Sequence, residues 1–397
     1  MDQTNRREFF KDVVKPAAAL AVAPLFVPKS AFGANDRMTF GVIATGGRGQ
    51  YLNKKFQLAG CQPLAMCDIY EPHLQAALKD SPGAKGYVDY RELLAHPGID
   101  LVVLAGPDHH HMPMLFASLD AKKDVYAEKP LSRTLEEGEQ MRKVVAASKQ
   151  IVQIGHQRRS ALMIRRAEEA IEDGMLGRVI MVKAQWNWNV AGPLDNSPLP
   201  GKVDWDRFIG SAPKRPVEPM RLRAWRHFWD YAGGNMTDQG AHLMDVVLRL
   251  TKSPPPKSAV CHGFIAKSVG NEDPDVFTAT FEFENFMATW SLNYCSSYQN
   301  GWSITFLGDG GTMLIDEEGF KVWADPTDRK KEPVEIYKGD IPVESHIANF
   351  MDCIKTRKQP NCTVEIAQRA AAGPHLANVA FRQGRKAHLA PDLVTVS

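Results

Sequence analysis

MTFGVIATGGRG, residues 38–49, decides the fold: an apolar strand of seven residues runs into the turn Thr45-Gly46-Gly47-Arg48-Gly49, and helical spacing continues from there to Leu58. A second apolar run, Pro63 to Cys67, ends on Asp68. Strand, glycine turn, helix, then strand and acid about twenty residues on is the pattern of a dinucleotide site, in which glycines let the backbone approach a pyrophosphate. Anions are held there by free N–H groups and the helix dipole. Gly46, Gly47, Arg48 and Gly49 are therefore candidate cofactor contacts, and Asp68 is placed to accept from ribose hydroxyls. The stretch Asp68-Ile69-Tyr70-Glu71 contains no arginine, so a 2′-phosphate would meet like charge and NAD is favoured over NADP. Ala44 stands at the motif's first glycine position, which it can occupy if its φ stays negative.

Outward from this stretch, apolar runs at 101–106, 124–127 and 151–154 alternate with helical patterns near 112–119 and 135–148, predicting a doubly wound parallel sheet. Thr134 and Glu137 form a capping box at the start of the later helix. Ligands bind beyond the carboxyl ends of such strands, which brings Pro107, His111, Glu128, Lys129 and Gln157 towards one crevice. His109 and His110 are expected on a surface loop, and adjacent side chains there would diverge, so no metal site is predicted.

Beyond residue 155 the pattern becomes alternating apolar and polar strands at 179–189, 259–266, 276–284, 287–295, 302–308 and 312–315, predicting an open, largely antiparallel sheet in an α+β domain. Residues 363–386 return to helical spacing, with an interruption expected at Gly373-Pro374. The expected organisation is a leader over 1–33, a Rossmann domain over 36–155 and a substrate and oligomerisation domain over 156–390. Within the second domain, Gly233-Gly234 opens a helix on which Asp238 and His242 are four apart and share a face. Asp238 can hold one imidazole nitrogen and leave the other free for proton transfer. The two glycines would permit close approach of a ligand.

The 397 residues are 44% hydrophobic and 24% charged, the balance of a globular protein. Lys plus Arg number 48 against 46 Asp plus Glu, and the small excess lies in the leader. Nucleic acid is not an expected partner, since phosphate neutralisation needs a clustered basic footprint. Six scattered cysteines imply neither a disulfide framework nor a structural zinc. The leader reads as charged region, apolar run with an internal proline, and small-residue cleavage site, too short to span a bilayer. Its Arg6-Arg7 pair with Phe9 resembles a twin-arginine export signal, which implies a periplasmic or otherwise exported protein.

Ala127-Glu128-Lys129-Pro130 after a Rossmann strand, followed by Trp225-Arg226 and then by Gly233-Gly234, Asp238, His242 and Asp245, resembles the Gfo/Idh/MocA family of sugar oxidoreductases. The resemblance implies Lys129, Asp238 and His242 as the catalytic set, with Lys129 also touching cofactor and substrate. It further implies cofactor contacts from Trp225 and Arg226, bound NAD, and a homodimer or homotetramer built on the open sheet. Arg158, Asn187 and Trp188 are expected sugar contacts, donors for hydroxyls and an apolar face for a ring. The predicted activity is hydride transfer on a sugar or sugar derivative with tightly bound cofactor. An NAD-dependent glycosidase that oxidises a ring carbon transiently, and a non-catalytic sugar-binding or sensory protein, are the alternatives.

Overall fold

The computed structural model describes residues 37–324 and 332–397; the leader expected over 1–33 lies outside the described residues. In the N-terminal part the chain runs β1 (Thr39–Ile43), α1 (Gly47–Leu58), β2 (Gln62–Cys67), α2 (Glu71–Lys79), β3 (Lys85–Tyr87), α3 (Tyr90–Leu94), β4 (Leu101–Leu104), α4 (Asp108–Asp120), β5 (Asp124–Ala127), α5 (Leu135–Ala146) and β6 (Val152–Ile154). The strands pair in parallel in the order β3-β2-β1-β4-β5-β6. β4 and β5 are buried throughout, as expected of parallel strands covered on both faces. That order reverses direction beside β1, so the crevice opens past the carboxyl ends of β1 and β4.

A short turn of 3-10 helix (Gln157–Ser160) leads into α6 (Leu162–Glu172) and β7 (Val179–Asn187). Then come two single-turn helices at Trp205–Ile209 and Pro219–Arg223, α7 (Gly234–Thr251), β8 (Ser258–Phe264), β9 (Val276–Glu282), β10 (Met287–Asn293), β11 (Gly301–Gly308), β12 (Thr312–Ile315), β13 (Gly319–Trp323), β14 (Glu335–Lys338), α8 (Val343–Thr356), α9 (Val364–Gln383) and β15 (Ala387–His388). Nine strands form one sheet in the order β14-β13-β12-β11-β7-β10-β9-β8-β15, antiparallel except where β7 meets β10. Alternate residues of β9, β10 and β11 are buried. They join residues of α6, α7 and α9 in one core that includes Phe281, Trp290, Ile304, Val247 and Leu376. No helix among the described residues is long and apolar enough to cross a membrane.

Three local expectations are corrected. Ala44 has φ 67°, in the left-handed region. The turn needs that conformation because Gly49 packs against it: a Cβ on Gly49 would lie 2.1 Å from the Ala44 carbonyl oxygen. His109 and His110 are not on a surface loop. The helix begins at Asp108, earlier than the periodicity suggested, because Pro107 stands at its N-cap and Pro113 disguises its middle. Both histidines point Nε2 at the Phe208 carbonyl at 2.8 Å, and burial holds the pKa of His109 well below its usual value. Thirdly, α9 runs unbroken through Gly373-Pro374. A Cβ on Gly373 would meet the Met244 methyl at 2.8 Å, and one on Gly240 would meet Pro374 at 3.3 Å. These small residues let α7 and α9 pack closely, and burial in that crossing offsets the hydrogen bond that Pro374 cannot make.

Candidate active site

The glycine turn presents backbone donors to the crevice. Gly46, at the N-cap of α1, offers no side chain to the first turn, and no acidic residue occupies that turn. Nothing stands within 4 Å of where a Cβ on Gly47 would lie, and the amides from Gly46 to Gly49 have no acceptor among the described residues. Asp68 is buried at the end of β2; its Oδ2 accepts from the Thr45 amide at 2.7 Å and its Oδ1 from the Tyr70 amide at 2.8 Å. Oδ2 also accepts from the Thr45 hydroxyl at 3.3 Å; these bonds hold the carboxylate rigid, and Oδ1 keeps a further lone pair for a ribose hydroxyl. Beside it a cavity of about 390 Å³ is lined by Ala44, Asp68, Ile69, Pro107, Met114 and Phe208 among others. An uncapped helix end, a rigid carboxylate and a largely apolar slot suit the pyrophosphate, ribose and adenine of NAD, so the residues present fit the cofactor.

Arg48 spans the crevice floor. One of its nitrogens lies 2.7 Å from Oε1 of the buried Glu128 and 2.9 Å from Oε1 of Gln157, tying the glycine turn to the ends of β5 and β6. His111 does not reach the cofactor crevice. It is buried, with Nδ1 2.8 Å from the Pro130 carbonyl and Nε2 2.9 Å from that of Gly106; burial lowers its pKa, so the ring donates to one of these two carbonyls, just past the ends of β5 and β4.

Lys129 follows Glu128 in the cis Lys129-Pro130 loop and reaches the first turns of α7. Its Nζ donates to Asp238 Oδ1 at 2.7 Å and to the Asp238 carbonyl at 2.8 Å. Arg226, stacked on the Trp225 ring at 4.2 Å, brings Nε to 3.4 Å from the same carboxylate oxygen. Burial pushes the Asp238 carboxyl up, but Lys129 and Arg226 outweigh it and hold it well below the usual carboxylate range. The expected Asp238–His242 bond is not made: the carboxylate is taken by two cations, and His242 Nδ1 is buried with no partner. Spacing put the two on one face, but the loop bearing Lys129 comes between them in the competition for the carboxylate. Burial, followed by the charges of Lys129, Arg158, His156 and Arg48, keeps the His242 pKa far below its ordinary value, so the ring is neutral.

The two glycines ahead of α7 serve packing rather than ligand approach. Gly234 has φ 67°, and a Cβ there would strike Asp273 Oδ2 at 2.5 Å; a Cβ on Gly233 would strike the Thr237 hydroxyl at 2.4 Å. Asp273 in turn accepts from the Asn235 amide at 2.8 Å and from His227 Nδ1 at 2.8 Å, fixing the start of α7.

Arg158 is 5% exposed, and its Cζ lies over the Trp302 ring, 3.8 Å from the centroid, with the Trp186 centroid at 5.4 Å. Its guanidinium makes no hydrogen bond with the described residues, and burial lowers its pKa to about 9. Trp188 stands at right angles to Trp186 and stacks on Tyr294. Asn187 is excluded from this group: side chains alternate along β7, and its amide instead donates to the Tyr298 carbonyl at 3.1 Å on the other face of the sheet. Asp108, not singled out by the sequence, is buried at the start of α4; burial and then the nearby Asp238 push its carboxyl up to about 8, so it is protonated at neutral pH. The only available signal for it was an acid immediately past the end of a central parallel strand. Among the described residues no three His, Cys, Asp or Glu side chains are grouped to hold a metal.

Two family models match in tandem: the oxidoreductase family's NAD-binding Rossmann fold over residues 38–156, and its C-terminal alpha/beta domain over 168–388. The chain belongs to the Gfo/Idh/MocA oxidoreductase family. Among curated relatives, the inositol 2-dehydrogenase/D-chiro-inositol 3-dehydrogenase of Lacticaseibacillus casei is 34% identical over 161 residues, 39% of this chain and 46% of that protein. The myo-inositol 2-dehydrogenase of Thermotoga maritima is 27% identical over 43% of this chain and 52% of its own length. The chain thus spans about half the length of these relatives. Among solved structures, the WlbA dehydrogenase of Bordetella pertussis with NADH and UDP-GlcNAcA superposes with a TM-score of 0.69 at 21% identity, covering 89% of this chain and 99% of that one. A levoglucosan dehydrogenase with NADH and L-sorbose gives 0.71 at 16% identity, covering 88% and 98%. These two likenesses establish the shared fold.

Proposed function

We propose that this Gfo/Idh/MocA member is an NAD-dependent oxidoreductase that interconverts a secondary alcohol and a ketone on a sugar or a related polyhydroxylated ring. The observation that carries this reading is Lys129 held by Asp238 at 2.7 Å, beside a neutral His242 and past the end of a dinucleotide-type strand. Bound NAD supplies the hydride acceptor. Lys129 Nζ has one donor beyond the two that Asp238 uses, and it can hydrogen-bond the reacting oxygen. Asp238 fixes the ammonium's position. His242, uncharged and with no partner at Nδ1, is able to take the hydroxyl proton during oxidation and return it during reduction. Asp108, protonated, can donate a hydrogen bond where an ionised acid could only accept. Arg158 supplies donors on an aromatic wall formed by Trp186 and Trp302, which suits hydroxyls around an apolar ring face.

The test is a panel of sugars, cyclitols and their acids, followed through nicotinamide absorbance and, for cofactor that does not dissociate, through product mass. Lys129→Ala is expected to lower turnover at least about a thousandfold while NAD affinity stays within about twofold. Turnover within tenfold of the parent would refute the assignment of Lys129.

The proposal extends to export by the twin-arginine pathway, supported by Arg6-Arg7 and the regions after them. NAD would then have to travel with the folded protein and be regenerated in place. Nucleotide released on denaturing dialysed protein, and loss of export in Arg7→Lys, are the expected results. A homodimer or homotetramer is supported by the outward face of the nine-stranded sheet, where Val260, Phe264, Met287 and Ile336 are exposed.

A further inference from the structure

Away from the crevice, a cavity of about 710 Å³ opens where α6, the end of α7 and the beginnings of α8 and α9 meet. Five cations line it, Arg159, Arg165, Arg249, Lys252 and Arg369, against one lining carboxylate, Glu168. The carboxylates of α6 and of Asp245 are already engaged, whereas Glu365, one turn before Arg369 on α9, makes no ion pair among the described residues. Asp245, buried behind the cavity, pairs with Arg159 at 2.7 Å. Glu168 is shared by Arg249 and Lys252, and Lys252 also meets Glu172 at 3.1 Å. Glu169 is taken by Arg166 at 2.7 Å. The guanidinium groups of Arg165 and Arg369 are left with no ion pair or hydrogen bond among the described residues, although both line the same cavity from different helices.

The backbone points the same way. Ser160, also in the lining, ends the 3-10 turn just before α6, whose N-cap residue Ala161 supplies no side-chain acceptor and whose first turn holds no acid; Ser345 lies in the first turn of α8, where Glu344 already offsets the dipole. Uncapped helix starts carry free N–H donors and the positive end of the dipole. Two unpaired guanidinium groups, three partly neutralised cations and the uncapped start of α6 around one concave space form a focused positive field.

We infer that this cavity is a second ligand site that binds a dianionic oxyanion of the phosphate type, with Arg165 and Arg369 as the residues that hold it. Arginine suits the task because its planar fork engages two oxygens of a tetrahedral anion at once. The volume accommodates a phosphate ester as well as the free ion.

The experiment is calorimetric titration of inorganic phosphate into the full chain saturated with NAD, so that the pyrophosphate cradle of the crevice is occupied. Binding of about one phosphate per chain with a Kd below about 1 mM is expected. The double variant Arg165→Ala/Arg369→Ala is expected to weaken it at least tenfold without altering NAD affinity. Both residues are exposed and unpaired, so the variant should fold; near-unchanged thermal unfolding checks this. Arg166→Ala, which removes an exposed arginine of α6 outside the lining, should leave phosphate binding as it was. A hexose phosphate binding more tightly than inorganic phosphate would assign the site to an esterified ligand, and equal affinity to the free ion; either supports the site. Heat no larger than that of chloride at equal ionic strength, equal binding by the double variant, or equal weakening by Arg166→Ala would overturn it.

Discussion

His346→Gln tests whether buried neutral histidines set the acid stability of this protein. His346, in the first turn of α8, is fully buried, with Nδ1 2.8 Å from Ser160 Oγ and Nε2 3.0 Å from the Ile154 carbonyl. It therefore anchors the 3-10 turn that presents Gln157 and Arg158 to the crevice. The neutral ring donates from Nε2 and accepts at Nδ1, so protonation would break the Ser160 bond or reverse it. Burial lowers its pKa to about 4, and the same cause lowers His156 and His375 to about 4. Below the ordinary histidine pKa of about 6.5 the unfolded chain takes up protons that the folded chain refuses, so stability must fall as pH falls from 6.5 towards 4. For one such histidine the loss between pH 7 and pH 5 is about 2 kcal/mol. Three together lose about 6 kcal/mol, comparable with the whole stability of many domains. Asp108 works in the opposite direction: its raised pKa adds stability over the same interval, about 2 to 3 kcal/mol, so the parent's net slope is shallower than the histidines alone would give. The comparison between parent and variant removes that offset. Urea unfolding at pH 7 and pH 5 should show His346→Gln less stable at pH 7, through lost packing, yet losing about 2 kcal/mol less than the parent on acidification. Equal losses in the two proteins would refute the reasoning, because the residue would then have taken up no differential proton.

Two further substitutions probe the crevice. Gly49→Ala places a methyl 2.1 Å from the Ala44 carbonyl oxygen, backbone against backbone, and should cost at least about 3 kcal/mol and abolish NAD binding. Gly46→Ala, whose Cβ finds only the His73 ring at 3.6 Å, should leave the melting temperature within about 2 °C. A Gly49→Ala protein that binds NAD normally in fluorescence titration would mean that the turn is not the cradle. Asp108→Asn keeps the shape but removes the ionisation: the parent should lose about 1 kcal/mol between pH 7 and pH 9 as its carboxyl is forced to ionise beside Asp238, and the variant should lose none of it. Parallel pH profiles would show that burial and Asp238 do not raise this carboxyl.

The sequence by itself determined the parallel N-terminal sheet and the mixed second sheet, because hydrophobic periodicity and turn residues act over a few residues and survive any tertiary context. Even there it omitted β3, β13, β14 and β15, short strands whose pairing depends on distant neighbours. It also pointed to Lys129, Asp238 and His242 as neighbours of one crevice, since parallel-sheet topology carries strand ends to the same side. Which of them bond was decided only by the folded chain. Asp238 and His242 are one helical turn apart, but the carboxylate lies where Lys129 and Arg226, respectively 109 and 12 residues earlier in sequence, deliver two positive charges, and charge pairing outcompetes a neutral ring. Asn187 was lost from the site for a similar reason, strand register sending its side chain to the opposite face from Trp186. Gly233 and Gly234 looked like ligand approach and Gly373 like a helix interruption, and all three became packing contacts once α7, α9 and the Asp273 loop met. Local preference writes the elements; the contacts between elements, through Coulomb attraction, register and excluded volume, decide the chemistry they carry.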